Sequence, residues 1–69
     1  MSNKLENSES ELIKLADTYK QSYLYHILGD YYFIHQKNPT KAKENYVKAL
    51  GLTDDLNEKT ILNQKLTNL

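Results

Sequence analysis

The 69-residue chain has no cysteine, no tryptophan and no arginine, and only one proline, one phenylalanine, one methionine and two glycines. Lack of cysteine excludes disulfides, thiolate metal sites and thiol nucleophiles together. A chain this short buries only about 60% of the surface that its unfolded form exposes. The core is therefore thin, and stability has to come from helix packing, self-association or a partner. Nine lysines balance nine acids, so the one-sided basic excess of a nucleic-acid binder is missing along with its arginines. The apolar runs are a few residues each, against the ~20 needed to span a bilayer. The opening Met1-Ser2-Asn3-Lys4 leads into polar residues and does not resemble a signal peptide. The expectation is a chain that is soluble as given, without nucleic-acid binding or direct membrane insertion. It would be cytoplasmic if intact and periplasmic if it is a fragment of an anchored protein.

What is present is helical spacing. Residues 1–8 are polar apart from Met1 and Leu5 and read as a disordered tail. From Glu9 to Gln36 there is no proline and one glycine, and apolar residues recur at Leu12, Leu15, Ala16, Tyr19, Tyr23, Ile27 and Phe33 or Ile34. Three-four spacing predicts helix, with Ser8 and Glu11 spaced as a capping box. One helix, bent, is slightly favoured here; two helices with a turn at Asp17-Thr18-Tyr19-Lys20 and a restart near Gln21 is the alternative. Lys37-Asn38-Pro39 stops the stretch, because proline disfavours helical geometry in the residue before it. Asn38 then caps a helix over about Pro39–Leu50, with Pro39 in the first turn and Gly51 at the left-handed position past its end. A last helix follows Asp54-Asp55, with Asp55 and Glu58 at capping-box spacing. It carries Leu56, Ile61, Leu62, Leu66 and Leu69 as an apolar stripe that needs a cover.

Tyr25, Leu28, Gly29 and Tyr32, followed by Ala42, Tyr46, Ala49 and Leu50, resemble the packing positions of a tetratricopeptide repeat. Small Gly29 and Ala42 let two helices approach, and the large tyrosines fill the space beside them. The sequence departs from that family in a turn one residue longer around Asn38-Pro39, and in Asp54 and Asp55 where a closing proline often stands. The implied fold is all-α: an antiparallel helical hairpin of tetratricopeptide type with flanking capping helices, three or four in all, forming a single domain over 9–69. A narrower likeness links Leu28-Gly29-Asp30, Ala42, Tyr46, Ala49, Leu62 and Lys65-Leu66-Thr67-Asn68-Leu69 to a bacterial family. That run is similar to the C-terminal end of membrane-anchored, periplasmic ancillary Sec-translocon subunits with a tetratricopeptide-like fold. One repeat unit cannot cover its own apolar face. Leu12, Leu15 and Tyr19 at one end and Leu62 and Leu66 at the other are left partly open, which predicts a homodimer or higher oligomer.

Candidate chemistry is sparse. His26 and Asp30 share a helical face, but a metal or catalytic site needs three or more convergent groups, and His35 lies on another face. Ser8, Ser10 and Ser22 have no nucleophile-elbow context, and the glycines form no phosphate loop. No catalytic residue, cofactor or metal is assigned, and the chain is expected not to be an enzyme. Of six tyrosines, Tyr19, Tyr23 and Tyr31 are not used by the repeat pattern, and at least one is expected at an interface. The family pattern puts Tyr23, His26, Asp30 and Phe33 on the groove face. This aromatic surface lacks the lysines and asparagines that hold acidic chaperone tails, and suits an apolar or amphipathic segment. Lys41, Lys43, Glu44 and Lys48 read as a solvated face. The function expected is that of a scaffold or chaperone-like adaptor. The alternatives are a translocon-associated fragment and a self-assembling structural domain.

Overall fold

The computed structural model describes the backbone of residues 4–69 and the side chains from Glu9 onward. Four helices follow one another: α1 (Lys4–Tyr19), α2 (Ser22–Ile34), α3 (Pro39–Leu52) and α4 (Leu56–Thr67), with no strand among the described residues. The chain is all-α. Helix α1 begins earlier than the polar composition suggests. Residues 4–8, read as part of a tail, belong to the helix, and Ser8 therefore lies inside it rather than capping it. Lysine, leucine and glutamate are strong helix formers, and the glutamates of the first turns suit the positive helix end. Residues 1–3 of that tail lie outside the described residues.

The stretch from Glu9 to Gln36 is two helices, not one bent helix. Lys20 takes a left-handed φ of 52° while its N–H still bonds to the Ala16 carbonyl at 2.8 Å. Gln21 is extended at φ −95°, ψ 136°. This is the left-handed helix ending normally filled by glycine, here filled by lysine. Lys37, at φ 49°, plays the same part after α2. The next start is as the sequence implies: the Asn38 side chain accepts the Lys41 N–H at 3.2 Å, with Pro39 in the first turn. The end of α3 differs. Gly51 does not have positive φ, and the helix continues through it to Leu52, with extended Thr53 as its cap. Asp55 caps α4, accepting the N–H groups of Asn57 and Glu58. The return half of the capping box is replaced: the Asp55 N–H donates to Thr53 Oγ1 at 3.1 Å.

Side-chain pairs fix the helix directions. Tyr32 bonds to Glu9 and Tyr25 to Asp17, so α1 and α2 are antiparallel. Lys41 lies over the Tyr32 ring and Lys48 over the Tyr25 ring, so α2 and α3 are antiparallel too. Both lysines are exposed, in keeping with the solvated face read from the sequence, and their ammonium groups also lie over tyrosine rings. The core joins all four helices: Ala16 from α1; Leu24, Tyr25, Leu28, Tyr31 and Tyr32 from α2; Ala42, Tyr46 and Ala49 from α3; Leu62 from α4. Leu12, Leu50 and Leu66 pack on its edge. Of the α4 stripe, Leu62 is thus buried and Leu66 partly buried, while Leu56, Ile61 and Leu69 face out. Tyr31 joins the core and is not a surface tyrosine.

Gly29 and Gly51 both lie inside helices, yet their surroundings are opposite. A Cβ at Gly29 would overlap Cδ1 and Cε1 of the Tyr46 ring, whereas one at Gly51 meets nothing within 4 Å. Tyr46 is 1% exposed and has nowhere to swing. Gly29→Ala is therefore expected to destabilise by about 1–3 kcal/mol through overpacking. Gly51→Ala is expected to stabilise by about 0.5–1 kcal/mol through helix propensity alone. Thermal melts of the two variants should move in opposite directions.

Candidate functional site

One side of α2 carries Ser22, His26 and Asp30, each four residues after the last. Helical geometry stacks such residues in a row, about 12 Å from first to last. On α4, Glu58 and Lys65 are seven residues apart, about 10.5 Å, so a helix lying alongside in the same sense meets that row at both ends. Ser22 Oγ donates to Glu58 Oε1 at 3.0 Å, and Lys65 Nζ donates to both Asp30 oxygens at 2.9 and 3.0 Å. His26 stands between them. Lys65 Nζ lies 2.8 Å from its Nε2, and Glu58 Oε2 lies 3.5 Å from its Nδ1. An ammonium group can only donate, so Nε2 accepts and the neutral ring's proton sits on Nδ1, facing Glu58.

Helix α3 adds Tyr46 to this network. Its hydroxyl donates to Asp30 Oδ1 at 2.5 Å, its ring stands edge-on to His26 with centroids 5.9 Å apart, and Lys65 lies 5.8 Å over its face. Burial first, and the hydrogen bond to Asp30 second, push the Tyr46 phenol well above its usual 10.0. The Glu58 carboxyl is held below its usual 4.5, chiefly by the hydrogen bond from Thr53, with Ser22 and His26 adding to it against the opposing effect of burial. On the α1 side, Tyr32 donates to Glu9 Oε2 at 2.7 Å. Its phenol is pushed up to about 12 by burial first and this bond second.

The structure divides the four groove residues named from the sequence. His26 and Asp30 are engaged by α4 and are largely covered, with side-chain exposures of 17% and 34%. Both imidazole nitrogens are committed. Tyr23 and Phe33 are open, at 57% and 42% exposure, and Ile27 and Ile34 join them on the same helix at 44% and 61%. An open cleft of about 300 Å³ at the far end of α2 is lined by Asp30, Phe33, Ile34, Tyr46, Lys65 and Asn68. The sequence assigns Glu58 a capping-box role and Lys65 a place in the C-terminal likeness, and neither a place in this row. The signal available was their spacing, which nearly matches that of Ser22 and Asp30. Ile27 and Ile34 were assigned to the general apolar periodicity. The eight repeat-packing positions lie between α2 and α3: Tyr25, Leu28, Gly29, Tyr32, Ala42, Tyr46 and Ala49 are buried and Leu50 is half-buried. Among the described residues no group of three or more His, Cys, Asp or Glu could hold a metal ion. No described helix is long and apolar enough to cross a membrane.

The network gives the fold a defined response to pH. Glu58 titrates lower when folded than when unfolded. Its contribution is thus complete above its unfolded value of 4.5 and is lost as pH falls through the folded value. Glu58→Gln should cost about 1–2 kcal/mol at neutral pH, and urea titrations should show the gap to the parent chain closing below pH 4.5. Tyr32 acts on the alkaline side, with its folded value raised. Its contribution is complete below 10.0 and declines as pH rises toward 12. Ultraviolet titration of phenolate should show its ionisation late, and Tyr32→Phe should remove that step. No family model, no curated protein and no solved structure matches this chain.

Proposed function

We propose that the chain is a non-enzymatic protein-interaction module, a scaffold or adaptor built on a helical hairpin of tetratricopeptide type. Burial of the small and aromatic residues of the repeat pattern between α2 and α3 supports the hairpin reading. The single observation that carries the functional reading is the open side of α2. Tyr23, Ile27, Phe33 and Ile34 are all exposed on one 13-residue helix whose other side forms the core. Tyr23, Ile27 and Ile34 lie at i, i+4 and i+11, within one narrow stripe, and Phe33 opens into the cleft beside Lys65 and Asn68.

Such a surface suits the apolar stripe of an amphipathic helix laid along α2. Tyrosine and phenylalanine supply large contact area with few rotamers to freeze. His26 and Asp30 also bond to α4 and hold it beside the groove, where Asp30, Lys65 and Asn68 give the apolar residues a polar edge. The mechanism is burial of apolar surface with no bond made or broken.

A nitrogen-15 labelled chain titrated with an amphipathic leucine-lysine helical peptide tests this. Amide shift changes are expected along α2 around Tyr23, Ile27, Phe33 and Ile34 and at the Lys65 end of α4. Tyr23→Ser with Phe33→Ser should weaken binding at least tenfold while leaving the amide spectrum of the free protein folded. Shift changes confined to other helices, or none at all, would reject the groove.

A further inference from the structure

Lys65 meets three acceptors with its three N–H bonds. Its Nζ lies 2.8 Å from His26 Nε2, 2.9 Å from Asp30 Oδ1 and 3.0 Å from Asp30 Oδ2. An ammonium group has no lone pair, so this arrangement requires a bare Nε2 and a neutral ring. The charges around the ring pull the other way. Among the described residues, the titratable groups that meet His26 are Asp30 on its own helix, Tyr46 on α3, and Glu58 and Lys65 on α4. Asp30 Oδ2 lies 3.9 Å from Nε2, and Glu58 Oε2 lies 3.5 Å from Nδ1. With the ring neutral, two carboxylates thus face one ammonium. Glu58, held below its usual 4.5, stays charged over the range of about pH 5 to 8 in which imidazoles change charge. The Tyr46 phenol, held above its usual 10.0, stays neutral there. A proton on His26 balances the cluster, yet it has to land on the nitrogen that Lys65 occupies.

We propose that His26 is a proton-operated switch for the partners of Lys65. On taking a proton, Nε2 turns from acceptor to donor. Two cations cannot keep a 2.8 Å contact, so the ammonium leaves the ring. Asp30 Oδ2 is the acceptor at hand for the new N–H, and the pair closes from 3.9 Å to the ~2.8 Å of a charge-assisted bond. Lys65 keeps Asp30 Oδ1 and has room to move. Its side chain is 36% exposed, and it lines the cleft of about 300 Å³ with Phe33, Ile34 and Asn68. The outcome is an ammonium with a free N–H at that cleft, open to an acceptor there. Helix α4 stays docked in both states, because two carboxylates then hold two cations. The switch does not rest on the groove reading, since no partner takes part.

The test is a titration of the full chain, labelled with carbon-13 and nitrogen-15, from about pH 8 to about pH 5.5. At the upper end the His26 ring should show a bare Nε2 and a protonated Nδ1, with Overhauser contacts from Lys65 Hε to the ring. As His26 gains its proton, those contacts should disappear while the α4 amides keep their folded dispersion. In His26→Gln, which cannot gain a charge, the Lys65 signals should stay in place over the same range. Lys65→Met should raise the His26 midpoint, because the opposing ammonium is gone. The switch is overturned by a neutral ring protonated at Nε2, by Lys65 contacts that survive ring protonation, or by α4 amides that lose dispersion with it. Lys65 signals that still titrate in His26→Gln, or a Lys65→Met midpoint at or below the parent's, would overturn it as well.

Discussion

The close approach of Gly29 to the Tyr46 ring is the constraint on which the other contacts rest. With no Cβ in the way, α3 comes near enough to α2 for the Tyr46 hydroxyl to reach Asp30. Asp30, held in that position, is the acceptor for both of the Lys65 hydrogen bonds that draw in the C-terminal part of α4. His26 then sits between Lys65, Glu58 and the edge of the same tyrosine ring. A single missing methyl group thus determines the spacing of one helix pair and, through two further residues, the seat of a third helix.

Much of this was legible in the residues. Helical spacing located the elements, Asn38-Pro39 and Asp55 located two of the starts, and the small-then-aromatic pattern picked out side chains that are buried. The failures have a common cause in the helix ends. Glycine is the usual sign of a left-handed ending, but among the described residues the left-handed ones are Lys20 and Lys37, and neither glycine has positive φ. A lysine carries no signature of that geometry. The break after Tyr19 is accordingly hard to see, and Gly51 is misread as a stop. The start of α1 is hidden for the opposite reason: its low hydrophobicity reads as disorder although the residues are good helix formers.

The candidate site was only half legible. The family resemblance puts Tyr23 and Phe33 on a groove face, and both are exposed. It puts His26 and Asp30 there too, but their environment is decided by α4, which is more than thirty residues away along the chain. No local pattern records which face of one helix a later helix will cover. The result is a polar seam, Ser22-His26-Asp30 against Glu58-Lys65, that separates the core from the apolar side of α2. Every buried polar side-chain atom among the described residues has a partner. That satisfaction is what makes such a seam tolerable in a thin core.

The order of the helices has a kinetic consequence. Each helix packs its apolar residues mainly on its neighbours in sequence, and the links between α2 and α4 are polar, joining residues 35 to 39 positions apart. Local apolar contacts close short loops and form early, whereas distant polar contacts need both helices in register first. The α2–α3 hairpin is thus the natural nucleus, and α4 docks late. On the reverse path α4 is the first part to let go, so slow hydrogen exchange should be concentrated in the middle of the chain and fade toward its C-terminal helix.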